Sequence, residues 1–409
     1  MIINSPQNSY DIVIVGGGMV GATFAVTMSE TTSKSNLTIL VVEATAPFAK
    51  NSTESNFDSR STALSFGSKE ILGESSIWLD LCKNAEAIRR INVSDKGRLG
   101  TTTISSEEQN VEALGFVIEN KDLGLTLQNR LTASPKVHFL VSANILGVTP
   151  KASGMSLRVG SGESDWIVTS SLLVLADGGR SPVCRDLGIS NINHAYNQHA
   201  IVSNVAFEKA HEGVAFERFT DTGPLAVLPL PKFETENRCS VVWSVNPDES
   251  DEILDLEEAE LRKRLQNSFG YRLGEITRIG RLGCFPLNQS LAREQIRPGL
   301  VLLGNVAHTL HPVAGQGMNL ALRDMQSLIA SIERGFKDGM DCGDMRVLQR
   351  YMERQSDDQY QVITFTDKLV SLFSSNAPSE VLVRKFGLLS LELFPLLRKT
   401  LAKKAMGLG

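Results

Sequence analysis

Short apolar runs that end in small and polar residues recur along this chain. Tyr10–Val15 reads Tyr-Asp-Ile-Val-Ile-Val, largely β-branched, as expected of a strand buried on both faces. Gly16-Gly17-Gly18-Met19-Val20-Gly21 follows at once, then a helical pattern to about Glu30, then a second apolar run, Leu37–Val42, ending at Glu43. Leu172–Ala176 ends in Asp177-Gly178-Gly179-Arg180-Ser181, and Leu300–Leu303 ends in Gly304-Asn305-Val306-Ala307-His308. Between these last two lie alternating runs, Ile201–Phe207, Val214–Phe219, Leu225–Leu228 and Cys239–Val245, which predict an antiparallel sheet with one buried face. Asn319–Glu333 has the spacing of an amphipathic helix. Asp251–Arg264 predicts another, with Leu254, Leu261 and Leu265 at helical spacing and its charges on a solvated face. The pattern as a whole predicts an α/β protein: a doubly wound domain interrupted by an antiparallel-sheet domain, with a helical C-terminus.

The glycines after the first run have steric reasons. Gly16 permits a tight turn, Gly18 lets backbone approach a pyrophosphate, and Gly21 lets the helix pack closely on the strand. The helix start then presents free N–H groups and a positive dipole end to phosphates. Glu43 stands 22 residues beyond Gly21, where a carboxylate can accept hydrogen bonds from an adenosine ribose. A lone Gly-x-Gly-x-x-Gly is a weak signal, but strand, glycines, helix, strand and acid in this order are specific. The ends at Asp177 and Gly304 read equally well as ordinary turns when taken singly. Together with the first, they are better explained by one extended ligand lying across the three strand ends. The loop His311-Pro312-Val313-Ala314-Gly315-Gln316-Gly317-Met318-Asn319 leads into the amphipathic helix, and its N–H groups suit a delocalised anion. No metal site is expected at His308 and His311, because no third ligand stands nearby and a proline-terminated turn is poor zinc geometry.

Composition narrows the classes. The chain has 409 residues, 42% hydrophobic and 21% charged, close to soluble globular averages, so disorder and coiled coil are not expected. A net charge of −5 is of the wrong sign for a nucleic-acid binder. Five cysteines without a Cys-x-x-Cys pair argue against a disulfide framework. The N-terminus has no secretory pattern, and the longest apolar candidate, Phe386–Leu397, falls short of the ~18 residues of a membrane span. The expected location is cytoplasmic.

With these residues in view, the chain resembles the single-component FAD-dependent aromatic hydroxylases, through Gly16-x-Gly18-x-x-Gly21, Asp177-Gly178, Gly304-Asn305 and Gly315-Gln316-Gly317. Phe57-Asp58-Ser59-Arg60-Ser61-Thr62-Ala63-Leu64 and His311-Pro312-x-Ala314-Gly315-Gln316-Gly317-x-Asn319-Leu320 resemble the ubiquinone-biosynthesis branch of that family. Within it, Ala210–Leu230 and Ser268–Ile276 are most similar to members acting on 2-polyprenyl-6-methoxyphenols. The resemblance runs from about Asp11 to Met406.

The resemblance implies an NAD(P)H-dependent flavoprotein monooxygenase that hydroxylates a polyprenyl phenol with O2 through a flavin C4a-hydroperoxide, the cofactor carrying the difficult step. It implies that Glu43 holds the adenosine ribose, that Asp177 and Gly178 face the pyrophosphate region, and that Asn305 binds the ribityl chain. Gly315, Gly317, Met318 and Asn319 would lie along the flavin ring, Gly304 at the third strand end, Pro312 beside C4a, and Arg60 near the ring and the transient nicotinamide site. Two departures stand out. Asn305 replaces the family's usual Asp, and Gly124-Leu125-Thr126 offers no long polar side chain where the family has Gln or Arg. No second Gly-x-Gly-x-x-Gly appears, so NAD(P)H would dock without a domain of its own. The expected division is a discontinuous FAD-binding domain (1–75, 98–190, 285–345), a substrate domain (76–97, 191–284) and a helical region (346–409).

The residue that polarises the phenol carries no sequence mark; Tyr196, Tyr271 and His194 are candidates, with packing or surface roles weighing more for each. The stretch 384–404 holds six basic residues against Glu392 among interleaved leucines and phenylalanines. It reads equally as a face for peripheral contact with the inner side of a membrane or a biosynthetic complex, and as a terminal helix packed on the body with Pro395 at its kink. Alternatives to the hydroxylase are a sibling acting at another ring position, a flavin dehydrogenase or prenyl reductase without oxygen insertion, and a flavin-bearing organising subunit.

Overall fold

The apolar runs become a sheet because each must bury two faces. The computed structural model describes residues 1–46, 56–97, 101–374 and 395–408. Its first sheet runs, in spatial order, Ile296–Arg297, Leu300–Leu302, Ser164–Leu175, Ser9–Val15, Ile39–Glu43 and Val137–Val141. The last five of these are mutually parallel. Ile12, Ile14, Val41 and Val174 point to one side, packed under the helices Met19–Thr31, Asn120–Ala133 and Gln316–Lys337. Val13, Leu40, Leu173 and Leu175 point to the other, which an antiparallel meander, Asn144–Lys151 and Gly154–Ser161, closes with Leu157 and Val159. That β layer has no counterpart in the sequence reading, although Met155, Leu157 and Val159 alternate with Ser156 and Arg158 along its second strand.

The second large sheet carries the alternating runs: Asn191–Phe207, Asn237–Val245, Pro224–Pro229 and Val214–Phe219 lie side by side in that order. It also takes in Arg90–Asp95, Thr101–Ser105 and Gly283–Ala292, so its hydrogen bonding extends past the stretches 76–97 and 191–284. One face packs on Pro247–Leu254 and Glu258–Phe269. These two helices replace the single one expected over 251–264. Asn246 makes a capping box with Glu249, which starts the first helix early and turns Ile253 inward, leaving Leu254 43% exposed. The opposite face of the sheet looks toward a small sheet, Ser61–Ser65, Gly115–Glu119 and Glu86–Ile88, that joins the two layers.

The helix expected over Asn319–Glu333 runs from Gln316 to Lys337. Of the basic stretch, 384–394 lies outside the described residues. Pro395–Ala405 is helical, and Ala402 and Met406 are buried against Ile104 and Leu114. Arg398 pairs with Glu108 at 2.9 Å, while Lys399, Lys403 and Lys404 remain exposed. No helix among the described residues is long and apolar enough to cross a membrane.

Candidate active site

Parallel register brings the strand ends together. Val15 pairs with Leu175, and Leu175 with Leu302. The Gly16 N–H donates to Val42 O at 2.9 Å, Ala176 N–H to Val15 O at 2.8 Å, and Leu303 N–H to Leu175 O at 2.9 Å. The tips that carry Gly16, Glu43, Asp177 and Gly304 are therefore immediate neighbours along one edge, where open α/β sheets bind ligands.

Gly16 has φ +100°, and a Cβ there would stand 2.5 Å from Ala176 O; one on Gly21 would stand 2.0 Å from Gly16 O. Neither position admits a side chain. At Gly18, Gly178 and Gly317 a Cβ would meet nothing within 4 Å, so bare backbone borders open space at three points. Glu43 anchors the loop from beside it: Oε2 accepts from Gly17 N–H at 2.7 Å, and Oε1 from Thr45 N–H at 2.8 Å. Asp177 is half-buried, and its Oδ1 has no partner among the described residues. Burial pushes its carboxyl up against the opposing hydrogen bond from Ser181. Bare backbone, a helix start and an unsatisfied acceptor around one crevice fit a dinucleotide with phosphates and ribose hydroxyls.

Gly315 adopts a left-handed conformation (φ 59°, ψ 30°) and opens the Gln316–Lys337 helix, with its N–H donating to Pro312 O at 2.9 Å. Pro312 is exposed, Met318 half-buried against the core, and Asn305 exposed. Asn319 spends its amide inside the protein. Nδ2 donates to Gly315 O at 2.7 Å and Ala63 O at 3.2 Å, and Oδ1 accepts from Ser65 N–H at 2.8 Å and Ser68 Oγ at 2.7 Å. Its side chain braces the turn against the small sheet instead of reaching outward.

Arg60 is exposed, with its guanidinium 5.8 Å from the Phe285 ring centroid. The segment before it is held from three sides. Asn204 Nδ2 donates to Phe57 O at 2.6 Å and Ser59 O at 2.7 Å, Arg238 Nη1 donates to Phe57 O at 3.3 Å, and Arg281 N–H donates to Asp58 Oδ1 at 2.8 Å. Arg238 and Glu119 form a buried ion pair; burial pushes the Glu119 carboxyl up, and Arg238 opposes this. Sequence reasoning missed Asn204 and Arg238. A polar side chain inside an alternating apolar run was the available signal.

The two histidines serve different neighbours. His308 Nε2 bonds Asp324, whose Oδ1 accepts from Gln359 Nε2 at 2.9 Å. His311 Nδ1 accepts from Val313 N–H at 3.1 Å, which places its proton on Nε2. It is 1% exposed, and burial lowers its pKa to about 4, so the ring is neutral. Tyr196 meets it edge-on at 5.0 Å and donates to Asp367, which also accepts from Gln289 Nε2 at 2.8 Å. Burial, then the bond to Asp367, holds the Tyr196 hydroxyl protonated well above the usual range. His194 is exposed and edge-on to Tyr196, and Tyr271 is 66% exposed. None of the three candidate polarising residues thus offers a free, buried polar atom.

The sequence matches the family described as FAD binding domain over residues 9–365. It is 31% identical to ubiquinone hydroxylase UbiL of Rhodospirillum rubrum, covering 99% of this chain and 91% of the relative. It is 30% identical to 3-demethoxyubiquinol 3-hydroxylase of Escherichia coli, over 97% of this chain and 98% of the relative. Among solved structures, p-nitrophenol 4-monooxygenase PnpA from Pseudomonas putida superposes with a TM-score of 0.78 at 16% identity, covering 98% and 99% of the two chains, a likeness of fold. Strand tips, glycine turns and end-to-end similarity agree: the chain belongs to the FAD binding domain family, and within it stands with the flavoprotein hydroxylases.

Proposed function

We propose that this chain hydroxylates the aromatic ring of a polyprenylated phenol in ubiquinone biosynthesis, with FAD as cofactor and NAD(P)H and O2 as co-substrates. The finer reading is a 2-polyprenyl-6-methoxyphenol. One observation carries the proposal: the three strand ends lie side by side, with the Gln316–Lys337 helix packed against Gly304–Val306 at the third, in a chain similar from end to end to proteins named as hydroxylases of ubiquinone and its precursors. FAD, when bound, accepts hydride from NAD(P)H and activates O2 for transfer to the ring.

The chain's own residues then have assignable tasks. Gly16, Gly18 and Gly21 admit the pyrophosphate to the first helix start, and Glu43 receives the adenosine ribose. Asp177 and Gly178 border the pyrophosphate, and Gly304 and Asn305 the ribityl chain. The N–H groups after Gly315, with Gly317 and Met318, stabilise negative charge on the ring, and Asn319 keeps that turn in place. Pro312 shapes the space beside it, and Arg60 orients the reductant. Peripheral membrane contact, part of this proposal, falls to the exposed Lys399, Lys403 and Lys404.

A sibling reading, hydroxylation at another ring position, draws on the 30% identity to the 3-demethoxyubiquinol 3-hydroxylase. The test supplies the purified yellow protein with NAD(P)H, 18O2 and a short-tailed 2-methoxyphenol. Label in the ring product supports monooxygenation; NAD(P)H oxidation with no labelled product in any phenol tried refutes it. The quinone precursor that accumulates in cells lacking the protein distinguishes the ring positions.

A further inference from the structure

Glu217 lies in the strand Val214–Phe219, opposite Ala226 on one neighbour and Val93 on the other. Strand alternation divides the side chains. Phe216 joins the core under the outer helices, its ring 5.3 Å from that of Phe269. Ala215 and Glu217 point the other way. Ala215 packs on Val117 of the small sheet, Val117 pairs with Ala63, and a Cβ on Gly315 would lie 3.5 Å from Ala63. Glu217 therefore sits on the inner face, one step along from the contact that seats this sheet above the Gly315 turn.

Its surroundings do not satisfy it. Oε1 is sealed from solvent and has no partner among the described residues. Its cross-strand neighbours are an alanine and a valine. The titratable groups on the same face are Asp95, beside Phe219 on the adjoining strand, and Glu119, which Arg238 holds. With no cation among the described residues to offset it, burial raises the Glu217 carboxyl to about 7. Glu217 is half-buried as a residue, but an oxygen sealed from solvent with apolar flanks and no partner among the described residues is costly to keep, and such groups concentrate where a ligand supplies the missing hydrogen bond.

We propose that Glu217 receives the hydroxyl group of a phenolic substrate and accepts its proton as the ring is hydroxylated. This rests on the hydroxylase reading above. The phenol O–H bond breaks, its proton passes to Oε1, and the carboxylate becomes a carboxylic acid. The phenolate electron pair raises electron density at the ring carbons ortho and para to oxygen. One atom of O2 enters the ring as a hydroxyl group in place of a ring hydrogen, which leaves as a proton, and the other leaves as water; the O–O bond breaks at the expense of the hydride of NAD(P)H and a proton from solvent. The carboxylic acid then returns its proton to the product oxygen, which restores Glu217.

The experiment compares wild type with Glu217→Gln, an isosteric change that removes the basic oxygen without creating a charge. FAD content and thermal midpoint serve as folding controls. With a short-tailed 2-methoxyphenol, the variant is expected to lose about 100-fold or more in hydroxylation rate, within the range typical of general-base catalysis. The rise in rate through pH 7 is expected to disappear, and a ring-fluorinated, more acidic phenol to recover much of the loss. A merely structural role would move neither the pH profile nor the dependence on phenol acidity. Wild-type rates and pH profile in Glu217→Gln would overturn the inference alone, whereas a wild-type protein that inserts no oxygen would overturn the hydroxylase reading and this inference with it.

Discussion

Replacing Asn204 by alanine removes the two donors that hold the Phe57–Ser59 backbone beneath the large sheet. Asn204 is 3% exposed, and its bonds to Phe57 O and Ser59 O are 2.6 and 2.7 Å long. A buried carbonyl left unsatisfied costs about 1–3 kcal/mol. Phe57 O keeps the weaker bond from Arg238 Nη1 at 3.3 Å, so most of the loss falls on Ser59 O. With about 1 kcal/mol for the lost bond to Phe57 O, the expected destabilisation is about 2–4 kcal/mol, read from urea unfolding of the FAD-loaded protein. The same change frees the segment leading to Arg60, so reduction of the bound flavin by NAD(P)H is expected to slow. If Asn204 acts by holding Arg60, the two effects on reduction are not additive: Asn204→Ala changes little once Arg60 is alanine. An unfolding midpoint equal to wild type would refute the hydrogen-bond argument, and equal slowing in both backgrounds would refute the link to Arg60.

Three further outcomes follow from the geometry. Gly18→Val should yield a folded protein that purifies without flavin, because a Cβ there meets no protein atom within 4 Å and the side chain extends into the space the pyrophosphate needs; full visible absorbance would count against the crevice. His311, neutral when folded with a pKa of about 4 against an ordinary 6.5, binds fewer protons folded than unfolded between those values. Stability is therefore expected to fall as pH drops from about 6.5 to 4, by on the order of 3 kcal/mol, and His311→Phe should flatten that slope in pH-dependent denaturation. Deleting 395–409 should destabilise the protein by about 2–5 kcal/mol, since Ala402 and Met406 leave an apolar cluster, whereas reversing the charges of Lys399, Lys403 and Lys404 should preserve the unfolding midpoint and weaken binding to anionic vesicles.

The legible parts of this molecule are those where a local rule has one solution. Strand, glycine turn and helix are legible at 10–30 because Gly16 and Gly21 occupy positions where a Cβ would overlap backbone. The alternating runs foretell a one-sided sheet because side chains on a strand alternate strictly. Elsewhere local signals mislead. The leucines of 251–264 match one helical stripe, yet the Asn246 cap starts a separate helix whose inward residue is Ile253. Tyr196 and His194 look like candidates for contact with substrate, yet Asp367 occupies the Tyr196 hydroxyl and His194 lies at the surface. Glu217 stands within the alternating run Val214–Phe219, and nothing in that pattern singles it out.

Taken alone, the sequence determined the apolar strands with their small and polar ends, the one-sided antiparallel sheet and the family, because these depend on spacings within a few residues or on the period of burial. Tertiary structure decided which polar side chains are already partnered. Asn204 reaches back 147 residues to Phe57, Arg238 lies 119 residues from Glu119, and Asn319 is 256 residues from Ala63. Whether a polar group is free to meet a ligand depends on partners brought from such distances, and no local pattern along the chain encodes that.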